Sequence, residues 1–172
     1  MSDTLFFNSK SADKEVGKGV NEQITNRQDY EELNKIVQWR KVLSNFYFSP
    51  FVFEGHTYNT VEHVFQSKKI ALVDPDKAFW FTVNSGHEIG QGDGLIARKN
   101  RKLVILSADT LRKWDEVKQS ILYDVLLAKF SQDAFAKHVL LSTRNAQLLH
   151  GARGIPIARQ YELESVRDKL NV

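Results

Sequence analysis

The chain contains no cysteine, so disulfides, thiolate metal sites and a cysteine nucleophile are all excluded. No apolar stretch approaches the roughly 20 residues that a membrane-spanning helix requires. The opening MSDTLFFNSK lacks the basic region and apolar run of a secretory leader. A soluble protein of a reducing compartment, cytoplasmic or nuclear and without a membrane partner, is therefore expected. The five histidines (His56, His63, His87, His138 and His150) show neither HExxH nor any other ligand spacing, so no metal and no cofactor are expected. A strong charge of one sign is also missing. The net charge of +3 and a pI near 9.0 are compatible with phosphate-bearing partners without demanding them.

What is present is ordinary for a globular chain: 42% hydrophobic and 26% charged residues over 172 positions, enough for one proper core. Leu5 to Phe7 reads as a short strand. Segment 8–26 is polar, without apolar periodicity, and reads as a long, mobile loop. Its GKG lacks the spacer and the Lys-Ser/Thr of a phosphate-binding loop. Residues 27–36 suggest a short helix, and WRKVLSNFYFSPFVFEGHTY suggests strands around an Glu54-Gly55 turn. Asn59 or Thr60 caps a helix that runs to about Leu72, where Asp74-Pro75 stops it. A further helix covers 75–81, and a long one covers 109–130 with Trp114, Val117, Ile121, Val125 and Ala128 on one face. LLHGARGIPIARQ reads as irregular, between short helices at 133–141 and LESVRDKL. The sum is α+β: a single compact, helix-dominated domain over 1–172 with a small N-terminal β region, expected to be a monomer.

The segment NTVEHVFQSKK carries the chemistry. In a helix Glu62, Gln66 and Lys69 fall at i, i+4 and i+7, one polar stripe beside the apolar stripe of Val61, Phe65 and Leu72. Asn59-x-x-Glu62 also fits a capping box, in which the glutamate only satisfies a helix N-terminal amide. If instead the stripe faces a pocket, Glu62 can stabilise an oxocarbenium-like centre or activate water. Trp114, one turn before Lys118, reads on spacing alone as core ahead of a stacking platform for a nucleobase. Two glycine- and arginine-bearing stretches are anion candidates: GQGDGLIARKNRK, with Arg98, and HGARGIPIAR, with Gly151, Arg153 and Arg159.

These residues, read together, resemble a known family. Ser44-Asn45-Phe46, Val61-Glu62-His63, Phe65-Gln66 and Lys69 match the hallmark of the NADAR (YbiA-like) family. The likeness continues through Trp114-x-x-Val117-Lys118, Ala128-Lys129-Phe130 and LLSTRNAQLLHGARG to the closing Leu163-Glu164-x-Val166-Arg167. It implies a YbiA-like α+β fold and N-glycosidic chemistry on NAD- or ADP-ribose-related compounds. Glu62 becomes the catalytic carboxylate, with Lys69 in the same pocket to orient it or to trap the opened sugar. Asn45, Phe46 and Trp114 then help hold the substrate, with Gln66 and His63 beside them as further candidates, although His63 taken alone reads first as a residue that packs or hydrogen-bonds locally. Arg98, Lys118, Arg153 and Arg159 are placed to hold the pyrophosphate, with Gly151 in the same anion stretch. Where bacterial members carry Asp-x-x-Trp-Gly near the C-terminus, this chain has HGARGIPIARQYELE, similar to eukaryotic and viral members. That difference points to ADP-ribosylated guanine, in DNA or as a nucleotide, as substrate and to ADP-ribose as product. The alternatives are phosphoribosylated riboflavin-pathway intermediates, or a binding module for ADP-ribose or nucleic acid with no turnover.

Overall fold

The computed structural model describes residues 2–172. In chain order the elements are β1 (Thr4–Phe7), α1 (Glu31–Asn34), α2 (Trp39–Val42), β2 (Phe51–Phe53), β3 (His56–Tyr58), α3 (Val61–Ile70) and α4 (Pro75–Phe79). They continue as α5 (Glu88–Gln91), α6 (Gly94–Lys99), α7 (Ala108–Gln132), α8 (Ala134–Ser142), β4 (Gln147–Ala152), β5 (Ile155–Arg159) and α9 (Tyr161–Leu170). The fold is α+β and helix-dominated, with a small β region. Among the described residues no helix is long and apolar enough to cross a membrane. Packing divides the chain into two compact units, 1–44 with 133–172, and 45–132.

The first unit is built on a three-stranded sheet in the order β1-β4-β5, with β1 parallel to β4 and β4 antiparallel to β5. Leu5 and Leu148, on neighbouring strands and paired in register, have no exposed surface. The segment read as irregular is thus a hairpin, and the β region is not confined to the N-terminus. Its turn is at Arg153-Gly154, where Gly154 takes φ +78°. The register shifts between His150 and Ala152. A Cβ on Gly151 would lie 2.8 Å from Ile157 Cγ1, so this glycine serves close strand packing and not an anion loop.

Segment 8–26 forms no helix or strand, but it is tied down. Glu22 accepts from the backbone of Phe6, Gly17 and Gly19 at 2.9–3.1 Å. Arg40 meets the same carboxylate with Nε at 2.9 Å and Nη2 at 2.7 Å, and donates to Lys14 O at 2.6 Å. Both side chains are buried, at 3% and 0% exposure. A buried pair persists only when its remaining hydrogen-bonding capacity is met, and here it is. The polar composition that suggested mobility is the loop's means of attachment.

In the second unit, β2 and β3 form a hairpin whose turn residues Glu54 and Gly55 both take positive φ, 49° and 84°. This is the twist that two-residue hairpins favour. Helices α3, α4, α5 and α6 enclose an apolar cluster of Ile70, Ala78, Phe81, Ile89 and Ala97. Short side chains start these helices: Asp74 caps α4 with Pro75 in its first turn, and Asp93 caps α6.

Candidate active site

Helix α3 begins at Thr60, whose Oγ1 accepts from His63 N at 3.1 Å. The capping box expected from Asn59 and Glu62 does not form. Thr60, one residue later, supplies the cap, which leaves the Glu62 carboxyl free of that duty. Asn59 instead donates Nδ2 to the carbonyls of Gly90 and Gly92, both at 3.1 Å. His63 donates Nε2–H to Ile89 O at 2.8 Å, while Nδ1 takes the Thr60 hydroxyl hydrogen at 2.8 Å. With 0% exposure and both ring nitrogens bonded inside the protein, His63 has none to offer a ligand. Burial also pushes its pKa down, which favours the neutral ring. Expected as a substrate contact, His63 is a clamp: with Asn59 it fastens the glycine-rich segment that leads into α6.

The electrostatics of Glu62 are set first by its burial. The residue is 5% exposed. Its backbone N–H donates to Asn45 O at 3.0 Å, and its Oε1 accepts from Gln66 Nε2 at 2.8 Å. Burial raises its pKa above the usual carboxylate range; the Gln66 bond and the charges of Arg98, Lys69 and Arg101 oppose the rise without cancelling it. Among the described residues, Lys69, Arg98 and Arg101 form no ion pair, so their field is unspent on neighbouring carboxylates. A carboxyl displaced in this direction can hold or release a proton nearer neutrality than an exposed one. Gln66 is equally buried at 5%, and its Oε1 has no hydrogen-bond partner.

One turn further along α3, Phe65 and Lys69 form part of a cleft of about 360 Å³, completed by Leu111, Trp114, Asp115, Lys118, Gln119 and Leu122 of α7. Trp114 meets the Phe65 ring edge-on, centroids 4.9 Å apart, and is 3% exposed. Its indole is therefore both core and cleft wall. Lys118 pairs with Asp115 at 2.9 Å at the rim. Phe46 backs onto α6: a Cβ on Gly94 would come within 2.7–2.9 Å of its Cα, Cβ and Cγ.

Glu62, Gln66, Lys69, Arg98, Trp114 and Lys118 thus share the second unit with Asn45 and Phe46. Gly151, Arg153 and Arg159 belong to the first. Arg153 is exposed in the β4–β5 turn. Arg159 is bound by both guanidinium arms to Glu164, at 2.8 and 2.9 Å, and lies over the Tyr161 ring at 4.6 Å. The hairpin turns the expected anion loop into strand, and Glu164 answers the Arg159 charge. Sequence reasoning passed over Arg101 as one of a basic run, and it missed the α7 stripe of Leu111, Asp115 and Leu122. The spacing i, i+4, i+11 around Trp114 and Lys118 was the available signal. Among the described residues no group of three or more His, Asp or Glu is placed to hold a metal ion.

No curated protein matches the chain. Among solved structures it is similar to the Escherichia coli protein YbiA, determined by NMR. That match has a TM-score of 0.57 and 21% identity over 99% of this chain and 86% of that one. At such identity the likeness speaks to fold. The sequence model of the NADAR domain matches residues 37–153, which span α3, the cleft and the β4–β5 turn. With that match over most of its length, the chain belongs to the NADAR domain family.

Proposed function

We propose that the protein is an N-glycosyl hydrolase that cleaves the bond between ribose C1′ and guanine in ADP-ribosylated guanine, releasing ADP-ribose and restoring the base. The observation that carries this reading is Glu62: a buried carboxyl, held by Gln66 and subject to the charges of Lys69, Arg98 and Arg101. Breaking a glycosidic bond develops positive charge at C1′, and a carboxylate in a low-dielectric site is most effective against charge that appears only in the transition state. The surrounding cations suit a substrate that brings its own negative phosphates. Arg98 and Arg101 lie on the α6 side, and Lys69 and Lys118 line the cleft, where Trp114 supplies an aromatic wall for a base.

The step balances simply. The C1′–N electron pair leaves with guanine, water oxygen bonds to C1′, and Glu62 accepts the proton that water loses. Glu62 passes that same proton to the guanine nitrogen as the bond breaks, so the one proton water gives up ends on the base and the carboxylate is regenerated. Lys69 acts on Glu62 through space and keeps the carboxyl oriented and ionised as the sugar becomes cationic.

The test is incubation of a guanine-ADP-ribosylated DNA oligonucleotide with wild-type protein and Glu62→Gln, followed by mass spectrometry. Unmodified DNA and free ADP-ribose from wild type alone are expected. An inert wild type refutes this substrate, and phosphoribosylated pyrimidines are then assayed. Tight binding without turnover by both proteins would identify a binding module.

A further inference from the structure

The amide of Gln66 is arranged at a cost that its present bond only partly explains. Its Nε2 donates to Glu62 Oε1 at 2.8 Å, yet its Oε1 is buried without a donor. An orphaned buried acceptor is destabilising, whereas a hydrogen bond to an ionised acceptor is among the stronger ones available. The orientation is therefore favoured while Glu62 carries its charge. When Glu62 takes a proton, the charge assistance disappears and the carboxyl gains an O–H that needs an acceptor. Turning the amide by half a revolution supplies one, because Oε1 and Nε2 exchange places with almost no change of shape.

We propose that Gln66 is a positioning residue that follows the proton on Glu62: its Nε2–H holds the ionised carboxylate, and its rotated Oε1 holds the protonated acid. The carboxyl then keeps one location through both halves of a proton-transfer cycle. The charged groups around this pair are few. Lys69 on α3 and Arg98 and Arg101 on the α6 side act on the carboxyl. On α7, Asp115 and Lys118 pair with each other, and His63 is buried and bonded to Ile89 O and Thr60. Within the pair, Gln66 offers both a donor and an acceptor in either protonation state of Glu62, whereas the ionised carboxylate only accepts. This inference rests on the assignment of Glu62 as the reacting carboxyl, but its first test needs no substrate.

That test is a pH titration of wild-type protein by NMR, following the Glu62 carboxyl carbon and the Gln66 side-chain amide, the latter assigned by its loss in Gln66→Met. The amide resonances are expected to change with the same midpoint as the carboxyl. In Gln66→Met the carboxyl midpoint moves alkaline by up to about one pH unit, the excess of the hydrogen bond lost by the charged carboxylate over the one lost by the protonated acid. If the hydrolase reading holds, the acid limb of the kcat/KM profile moves by the same amount, with activity largely recovered on its alkaline side. A Gln66 amide that stays unchanged while Glu62 titrates overturns the proposal, whatever the activity. So does a pH-independent loss of activity in Gln66→Met, which is the mark of a purely structural glutamine. Inert wild-type protein whose Gln66 amide still tracks Glu62 refutes only the substrate assignment.

Discussion

Replacing Glu62 by glutamine is expected to lower activity and raise stability together. Burial disfavours the charged form of Glu62, and Lys69, Arg98 and Arg101 do not fully compensate. Its folded-state pKa therefore lies above the unfolded one. Within the window between the two, the folded chain binds the extra proton, so stability falls as pH rises through it, and the whole penalty is present above the folded pKa. Glutamine needs no ionisation, and its carbonyl still accepts from Gln66 Nε2. The substitution removes about 1.4 kcal/mol for each pH unit of displacement. In a chain of this length 1 kcal/mol corresponds to about 2–4 °C in Tm. Thermal denaturation at mildly alkaline pH should therefore show Glu62→Gln melting above wild type, with the two curves converging at acid pH. Turnover should fall on the order of 10²–10³-fold as the transition-state charge loses its counterpart. A variant that melts lower at every pH while keeping its turnover per folded molecule would make Glu62 a structural residue and refute this reasoning.

Three further outcomes follow from the same geometry. Glu22→Gln leaves Arg40 buried without its counter-charge and should cost about 3–5 kcal/mol in urea unfolding; a loss under 1 kcal/mol would mean that segment 8–26 is not held by this pair. Gly94→Ala forces Phe46 away and should cost about 1–3 kcal/mol, with a raised KM if Phe46 contacts substrate, and an unchanged KM would remove Phe46 from the site. Lys118→Ala gives up only a rim ion pair, worth about 0–1 kcal/mol, but should raise KM, whereas Arg159→Ala, whose partner is Glu164, should leave KM alone. The reverse pattern in steady-state kinetics would return the phosphate to the hairpin.

How much of the site could be read in advance depended on whether its signal was local. Glu62, Gln66 and Lys69 share a helix, and helical spacing alone aligns them. Trp114 and Lys118 share another, and the cleft does bring them beside Lys69. Asn59 and Thr60 are both competent caps, and with Thr60 in that role the Asn59-x-x-Glu62 capping box does not form. The choice between them was made by the carbonyls of Gly90 and Gly92, some 30 positions downstream, which take the Asn59 amide. The β4–β5 hairpin was read as irregular because glycine and arginine obscure strand alternation, and its pairing to β1 spans most of the chain.

The sequence by itself determined the helices α3, α4, α7, α8 and α9, the Asp74-Pro75 stop, the Glu54-Gly55 turn and the polar stripe of α3, since each follows from periodicity or backbone preference within a few residues. By contrast, α2 lies in a stretch that reads as strand, and α5 and α6 in one that reads as glycine-rich loop. Tertiary structure alone decided which charges act on which groups. It buried Glu62 and raised its pKa, set Arg98 and Arg101 to act upon it, closed His63 within the core, and gave Arg159 to Glu164. Burial and charge proximity are properties of distance in space, and only packing converts sequence separation into distance.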